Sequence, residues 1–280
     1  MSIKTIIAVL TTKESVAQIM PLAIDLAERN GAHLTGIHAE ASAINYAGVG
    51  MTFAVKEFAA LRAAEQRMSE EVKAAFEGAT AGMSNAAEWR LAETEGTTRS
   101  ELLVEHAHCA DLIIMPQAEQ LGSSPGSSQL QENLVRECGR PVLIVPHSGE
   151  FTSVGAHALV GLSPTRESTR AAHDAISLLA PGGKATIITA HRPKDADDLP
   201  FENAKEMART YTRHGITVEV QDRADPKLAP GDVLLNESFE RGCDLIVVGA
   251  YGHSRVYDML IGATTTHLMD HMTAPVLFSA

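Results

Sequence analysis

CADLIIMP (109–116) and GCDLIVVG (242–249) have the same pattern: an aspartate, then a run of apolar residues that ends at proline or glycine. A second pair of segments, RPVLIVP (140–146) and APVLFSA (274–280), follows them along the chain. The aspartates differ in number by 244 − 111 = 133 and the first prolines by 275 − 141 = 134. A repeat with this nearly constant offset is far too long for a solenoid and predicts two duplicated domains.

Strands alternate with helices of ten or more residues in both halves, which favours parallel strands joined by right-handed crossovers. The strands are short and apolar throughout, as in a sheet covered by helices on both faces. The predicted fold class is therefore α/β, with two tandem doubly wound domains, each a five-stranded parallel sheet flanked by helices. The predicted strands are 5–12, 33–40, 86–93, 111–116 and 141–146 in the first half, and 157–163, 184–191, 216–222, 244–249 and 275–280 in the second.

A polar segment with two glycines, HSGEFTSVGAH (147–157), joins the two halves. This composition is typical of a boundary between domains. We therefore expect a first domain at 1–147 and a second at 156–280. Within the first domain, AEQLGSSPGSSQ (118–129) has the composition of a flexible loop.

Composition indicates which classes of partner are disfavoured for this protein and in which cellular compartment it is expected. The net charge of −12 disfavours a nucleic-acid-binding protein, which normally carries a basic face. No segment reaches the roughly 20 apolar residues needed to span a bilayer, and the first residues do not resemble a signal peptide. The three cysteines are odd in number and have no paired spacing, which indicates free thiols in a reducing compartment. We expect a cytoplasmic protein with no nucleic-acid or membrane partner.

Three glycines, Gly249, Gly252 and Gly262, follow the fourth strand of the second half and precede the helix-like segment ATTTHLMDHM (263–272). In an open parallel sheet, ligands bind beyond the carboxyl ends of the strands. Glycine lets the backbone approach a ligand closely, and the start of a helix favours an anion. On spacing alone, three turn glycines and a threonine-rich helix cap explain the pattern equally well.

The spacing Gly249-x2-Gly252-x9-Gly262 resembles the nucleotide-binding signature of the universal stress protein family, in which a Ser or Thr follows the third glycine. GAYGHSR (249–255) and ALVGLSPTRESTRAAHDAISLL (158–179) resemble its tandem, two-domain members. The resemblance implies a Rossmann-like strand order of 3-2-1-4-5 in each domain, and domains that meet through their last strands. In ATP-binding members, the three glycines and the following hydroxyl hold the ribose and phosphates.

The chain departs from the family pattern at several positions. Ala263 stands where Ser or Thr is usual, and Thr264 comes one position later. Ser163 stands where family members have the aspartate that contacts the adenine side. In the first half, Glu119 occupies the position that Gly252 has in the second, and a carboxylate there repels phosphate. We therefore expect no nucleotide binding through this loop of the first domain.

The resemblance implies a cytoplasmic stress-response protein whose second domain binds an adenine nucleotide, ATP with Mg²⁺, as a regulatory ligand for contact with a protein partner. A second hypothesis is a scaffold that binds no nucleotide and acts through protein contacts or another small ligand. A hydrolase or transferase ranks last, because no nucleophile or general base is recognisable, and any ATP hydrolysis is expected to be slow. We expect an intramolecular pseudo-dimer and allow for a dimer of chains. The predicted nucleotide contacts are Gly161, Leu162, Ser163, His191, Gly249, Gly252, His253, Ser254, Arg255, Gly262, Ala263, Thr264 and Thr265.

Four histidines are weighed as further candidates. His38 and His191 are placed at equivalent ends of the second strand of each half, near the ligand crevice, where a capping or partly exposed histidine is the alternative. His267 and His271 are four residues apart, so they share a helix face and have the spacing of a metal-binding pair. Since no third ligand is obvious, a solvated helix face is the preferred interpretation of this pair.

Overall fold

The structure is a computed structural model, and it describes residues 2–40, 55–93, 98–118, 127–191, 198–251 and 263–280. In the first half, the elements are β1 Thr5–Val9, α1 Lys13–Asn30, β2 His33–Glu40, α2 Val55–Thr80, β3 Glu88–Glu93, α3 Arg99–Ala107, β4 Leu112–Pro116, α4 Ser127–Glu137 and β5 Val142–Val145. In the second half, they are β6 His157–Gly161, α5 Arg166–Ala175, β7 Lys184–His191, α6 Asp198–Arg213, β8 Thr217–Ala224, α7 Pro230–Arg241, β9 Leu245–Gly249, α8 Ala263–His271 and β10 Val276–Ser279.

The strands form one continuous sheet in the order β3-β2-β1-β4-β5-β10-β9-β6-β7-β8. Neighbouring strands within each half are parallel, whereas β5 and β10 pair antiparallel, with Ile144 opposite Val276 and Val142 opposite Phe278. The predicted order 3-2-1-4-5 is thus confirmed in both halves, and the halves meet through their last strands. This pairing covers two sheet edges that would otherwise expose unpaired backbone groups.

The repeated aspartates join the fourth strand of each half to the first. The Asp111 carboxylate accepts hydrogen bonds from the backbone N–H groups of Lys4 and Thr5, at 2.8 and 3.0 Å. The Asp244 carboxylate accepts in the same way from the N–H of His157, at 3.0 Å. Bonds from a backbone N–H to a carboxylate are stronger than neutral hydrogen bonds. They explain why an aspartate stands at this position in both copies.

Helices cover both faces of the sheet and bury an apolar core on each. α1, α2, α5 and α6 pack on one face, where Phe76 and Ala172 are buried. α3, α4, α7 and α8 pack on the other, where Leu134 and Leu268 are buried. Most strands are therefore enclosed from both sides, which accounts for their apolar runs.

Of the ten described strands, only β2 and β7 have both predicted limits; the others differ by one to three residues at one or both ends. Two differences in extent have a clear local cause. β1 ends at Val9, because Thr12 already caps helix α1 by accepting a hydrogen bond from the N–H of Ser15 at 3.2 Å. Helix α4 begins at Ser127, inside the segment 118–129 that was predicted as loop. In both places the start of a helix, marked only by short polar residues, determines where the preceding segment ends.

The segment between the halves packs against both of them. Val154 is 1% exposed, and the Arg29 guanidinium of α1 donates to the carbonyl oxygens of Val154 and Leu178, at 3.0 and 3.1 Å. Gly155 has a φ of 95°, and a Cβ atom there would lie 2.2 Å from the Leu178 carbonyl oxygen. Glycine is therefore required at this position. The domain limits at 147 and 156 stay a prediction.

Cys109, Cys138 and Cys243 are free thiols, as their number and spacing indicated. Burial raises the pKa of Cys243 to about 11. Within the described ranges, no helix combines the length and the apolar character that crossing a membrane requires.

Candidate functional site

The predicted site residues that the structure describes cluster at one edge of the second-half sheet. β6 ends at Gly161 and the neighbouring parallel strand β9 ends at Gly249, with Gly161 opposite Val248. β7, on the other side of β6, ends at His191. Since α5 follows β6 and α8 follows β9, both helices begin at this edge, where open parallel sheets bind ligands. Outside the described residues lie Gly252, His253, Ser254, Arg255 and Gly262.

The packing of helix α5 requires glycine at position 249. A Cβ atom at Gly249 would lie 2.3 Å from the backbone nitrogen of Ser168 and 2.6 Å from the carbonyl carbon of Glu167. Real Cβ atoms do not approach backbone atoms this closely, so only glycine allows the first turn of α5 to rest on the end of β9. A ligand and an ordinary turn were the two explanations of this glycine from sequence, whereas the structure shows that helix α5 is its neighbour.

The loop after β6 uses its backbone N–H groups internally. The N–H of Leu162 donates to the Ile188 carbonyl at 2.8 Å, and the N–H of Ser163 donates to the Ser168 hydroxyl at 2.9 Å. Thr165 caps α5 by accepting a hydrogen bond from the N–H of Ser168 at 3.2 Å. The Ser163 hydroxyl is half-buried and lies 3.3 Å from the Thr165 hydroxyl. It is a side-chain group through which this loop can offer a hydrogen bond to a ligand.

Helix α8 begins as predicted, directly after the glycine-spaced segment. Ala263 is exposed, Thr264 is half-buried and Thr265 is only 4% exposed. The Thr265 side chain thus lies in the core and not at the surface of the edge, which argues against its predicted contact with a phosphate. The period of the helix explains the difference, since successive residues point about 100° apart.

The His191 side chain binds to the outermost strand. Its Nε2 atom lies 3.0 Å from Oδ1 of Asp222 in β8, and the Thr189 hydroxyl donates to the same carboxylate oxygen. The ring therefore lies on the β8 side of the strand end.

The predicted equivalence of His38 and His191 is wrong by two residues. In each half, the first residue of the second strand pairs with the first residue of the first strand. His38 is the sixth residue of β2, whereas His191 is the eighth and last of β7. The counterpart of His38 is therefore Thr189. Position along a strand depends on register, which a similar short motif does not reveal.

His38 is a buried side chain and not a partly exposed cap. It is 2% exposed, and its Nδ1 atom lies 2.6 Å from the carbonyl oxygen of Leu10, to which it donates. Burial lowers the pKa of His38 most; the bond to Leu10 opposes this and nearby Arg99 adds to it, while Glu40 and Glu65 raise it weakly. The folded protein therefore favours the neutral imidazole.

Because the folded-state pKa of His38 is depressed, the unfolded chain binds more protons below the ordinary histidine pKa of about 6.5. Stability contributed by the neutral ring is complete above that pH and is lost as the pH falls through it. Between about pH 7 and pH 5, the free energy of unfolding should fall less in His38→Asn than in wild type. The asparagine side chain keeps a hydrogen-bond donor at the δ position. Urea denaturation across this range tests the difference. The exposed His214→Asn variant is the control, and equal slopes in all three proteins would contradict the prediction.

The two histidines of α8 contact each other and helix α7. The rings of His267 and His271 are stacked with centroids 4.4 Å apart, as expected for one helix face. His267 Nε2 lies 2.9 Å from Oδ1 of Asp232, and a Cβ atom at Gly231 would lie 2.8 Å from the His267 ring. These contacts join the start of α7 to α8. Among the described residues, no group of three or more side chains has the arrangement of a metal site.

Tyr251 is not among the residues predicted for the site, and it contacts the first half of the chain. Its backbone φ is 57°, in the left-handed region that residues other than glycine rarely adopt. The guanidinium carbon of Arg136, at the end of α4, lies 4.5 Å from the centre of its ring. Burial raises the pKa of the Tyr251 phenol, nearby Glu132 adds to this, and Arg136 opposes it. No sequence signal connects residues this far apart in the chain.

A separate cleft of about 90 Å³ lies where the halves meet, away from the predicted site residues. Asp111, Arg140 and Asp174 are among its lining residues. Burial raises the pKa of Asp174, and the Ser279 hydroxyl donates to its carboxylate at 3.0 Å. Arg140 already pairs with Asp111 at 3.1 Å. The charged groups of this cleft thus have partners within the protein.

Comparison with known proteins agrees with the fold. Residues 156–279 match the family model described as the Universal stress protein family. A universal stress protein from Archaeoglobus fulgidus DSM 4304 is similar over 98% of this chain and 95% of that chain, with 17% identity and a TM-score of 0.71. A functionally unknown protein from Pseudomonas aeruginosa PAO1 is similar over 99% of this chain and 92% of that chain, with 18% identity and a TM-score of 0.56. The search of curated proteins gave no significant match.

At these identities, the solved structures show the fold, which extends over both halves of the chain. The family match adds that the second half carries the sequence pattern as well as the fold. Residues 156–279 therefore carry the sequence pattern of the universal stress protein family, and the chain has the fold of a solved universal stress protein along nearly its whole length.

Proposed function

We propose that the second half of this stress-response protein binds an adenine nucleotide, as ATP with Mg²⁺, at the edge formed by the ends of β6 and β9. The nucleotide acts as a regulatory ligand, whose occupancy shifts the conformation that meets a protein partner in the cytoplasm. The observation that carries the proposal is the start of α8 at Ala263, which is exposed at this edge directly after the Gly249-x2-Gly252-x9-Gly262 segment.

The polar groups at the ends of β6 and β9 suit a ligand that carries both a negative charge and a sugar. The first N–H groups of a helix have no partner within the helix, and its dipole attracts negative charge. The half-buried Ser163 hydroxyl supplies a hydrogen bond to the sugar or base. Among described residues, the proposed contacts are Gly161, Leu162, Ser163, His191, Gly249, Ala263 and Thr264; the family signature adds Gly252, His253, Ser254, Arg255 and Gly262.

The second candidate is a scaffold that binds no nucleotide. The environment of Gly249 favours it, because α5 explains the absence of a side chain there without any ligand. The Asp232 carboxylate at the start of α7, next to α8, also disfavours a second negative charge nearby.

Calorimetric titration of the full-length chain with Mg·ATP separates the two candidates. We expect one nucleotide per chain, because Glu119 replaces the second glycine in the first half. The dissociation constant should fall at about 1–100 µM, the range of a reversible regulatory ligand. Parallel titrations with AMP and with Mg·GTP measure what the terminal phosphates and the base contribute.

Absorbance at 260 nm in the supernatant of denatured protein reveals any nucleotide that copurifies. Absence of both heat and copurifying nucleotide would exclude the nucleotide site and favour the scaffold. Two equivalent sites per chain would contradict the assignment to the second half. ATP turnover faster than about one per second would contradict a regulatory role and indicate an enzyme.

A further inference from the structure

The ring of His38, in the first half, has one nitrogen that lacks a hydrogen bond. Its Nδ1 atom donates to the Leu10 carbonyl at 2.6 Å, and the residue is 2% exposed. In a neutral imidazole with one protonated nitrogen, the other nitrogen is an acceptor. That acceptor, Nε2, is buried and has no donor among the described residues. A buried polar atom without a partner raises the free energy of the folded state, so its presence calls for a reason.

The second half shows how the same strand position is satisfied within the protein. The counterpart of His38 is Thr189, whose hydroxyl donates to Asp222, its partner in register on the neighbouring strand β8. In the first half, the residue in register with His38 is Leu91 of β3, which has no polar side-chain atom. The first half therefore leaves an acceptor open where the second half has a closed pair.

An unpaired donor belongs to the same cluster. Arg99 is the first residue of α3, and its Nη2 atom pairs with Oε2 of Glu65 in α2 at 2.6 Å. Its Nε–H group is buried and has no acceptor in the part of the chain that the structure describes. Burial lowers the pKa of His38 most, but Arg99 also lowers it and Glu65 raises it, so both lie near the ring.

The cluster has a buried floor and an accessible rim. His38 forms the floor, and its ring is stacked on that of Trp89 with centroids 6.4 Å apart. The side chains of Arg99 and Glu65 are 34% and 20% exposed, so solvent reaches the cluster past them. Because α3 follows β3, its start lies at the carboxyl ends of the first-half strands, where open parallel sheets bind ligands.

The unpaired atoms and the charges around them define the class of ligand. One hydroxyl group satisfies both atoms, because its O–H donates to Nε2 of His38 and its oxygen accepts from Nε–H of Arg99. The Glu65 carboxylate already neutralises Arg99, and an anion would be repelled by Glu65 and by nearby Glu40. A neutral molecule that carries hydroxyl groups therefore suits this cluster better than an ion.

We propose that the first half has a ligand site of its own at His38 and Arg99, and that this site binds a neutral, hydroxyl-bearing small molecule such as a sugar. The site is separate from the edge proposed for the nucleotide in the second half, and neither proposal depends on the other. Free sugars and the ribose of a nucleoside share this chemistry, so the test includes both.

Trp89 is the only tryptophan of the chain, so the tryptophan fluorescence of the full-length protein reports on this cluster. The probes are D-ribose, D-glucose, glycerol, adenosine and, as an anion, inorganic phosphate. We expect a saturable change in fluorescence with at least one neutral probe, with a dissociation constant of about 0.1–1 mM. Calorimetric titration with the same probes measures binding independently of the fluorescence.

Two substitutions each remove one of the proposed hydrogen bonds. His38→Asn keeps the donor to Leu10 but lacks Nε2, and Arg99→Lys keeps a cation beside Glu65 but lacks Nε–H. Each should weaken binding of the neutral probe by about tenfold. The exposed His214→Asn variant is the control and should stay within about twofold of wild type. Arg99→Lys serves if His38→Asn folds poorly, because the Arg99 side chain is partly exposed.

Three results would overturn this proposal. The first is the lack of a saturable response to every neutral probe by both methods, which would leave ordered water as the partner of the two atoms. The second is tighter binding of phosphate than of any neutral probe. The third is wild-type affinity in both His38→Asn and Arg99→Lys. An adenosine response that both variants weaken would support the site and identify the ribose of a nucleoside as the source of the hydroxyl.

Discussion

Replacing Gly249 by alanine is expected to lower the free energy of unfolding by about 3 kcal/mol. The added Cβ would lie 2.3 Å from the Ser168 nitrogen and 2.6 Å from its Cα. These are backbone atoms, which cannot rotate away as a side chain can, so the first turn of α5 must move off the sheet. Glu167 and Ser168 are both buried, at 7% and 2% exposure, so this movement also disturbs the surrounding packing.

Gly78→Ala is the matched control for this change. Gly78 lies in α2, and a Cβ atom there would meet nothing within 4 Å. The same substitution should therefore stabilise the protein by about 0.5–1 kcal/mol, since alanine favours the helix. Urea denaturation followed by circular dichroism measures both variants. If the free energy of unfolding of Gly249→Ala lay within about 0.5 kcal/mol of the wild-type value, the packing of α5 on the end of β9 would not be the reason for this glycine.

Gly252→Glu is expected to weaken Mg·ATP binding at least about hundredfold, which corresponds to about 2.7 kcal/mol. The substitution gives the second half the residue that the first half already has, at Glu119. A carboxylate close to the phosphates repels them. Its side chain also occupies space at a position where the family signature has glycine, which has no side chain. Calorimetric titration measures the change, and the unfolding midpoint shows whether the variant is folded.

The control for charge is Gly82→Glu, which adds a glutamate where a Cβ atom would meet nothing within 4 Å. It changes the net charge equally and should leave the dissociation constant within about twofold of wild type, because salt screens distant charges. Wild-type affinity in Gly252→Glu would show that the nucleotide, if bound, does not contact this loop.

The order of the elements could be predicted from sequence because its signals are local. β2 and β7 have the limits that were predicted, His33–Glu40 and Lys184–His191, since each is one continuous strand pattern after a glycine-containing turn. Helix α1 is followed by Gly31, which has a φ of 57° and closes the helix, as glycine commonly does after the last helical residue. The offset between Asp111 and Asp244 also revealed the duplication before any contact was known.

The candidate site was less predictable because its parts belong to distant segments. The glycine spacing and the start of α8 were visible in sequence, and they indicated that Gly249 lies at the end of its strand, where the structure has it. The burial of Thr265, the register of His38 and the contact between Tyr251 and Arg136 were not visible. Each depends on how a helix or strand is rotated and paired, which a short motif does not encode.

By itself, the sequence determined the two copies of an α/β unit and the order of the strands and helices within each. Those features follow from interactions within a few residues, so their periodicity and spacing appear in the chain. Only the tertiary structure decided that Gly249 accommodates helix α5, that β5 pairs antiparallel with β10, and that Arg136 of one half contacts Tyr251 of the other. The physical reason is that close packing between distant elements depends on their positions in space, and residues far apart in sequence carry no local sign of the neighbour they will meet.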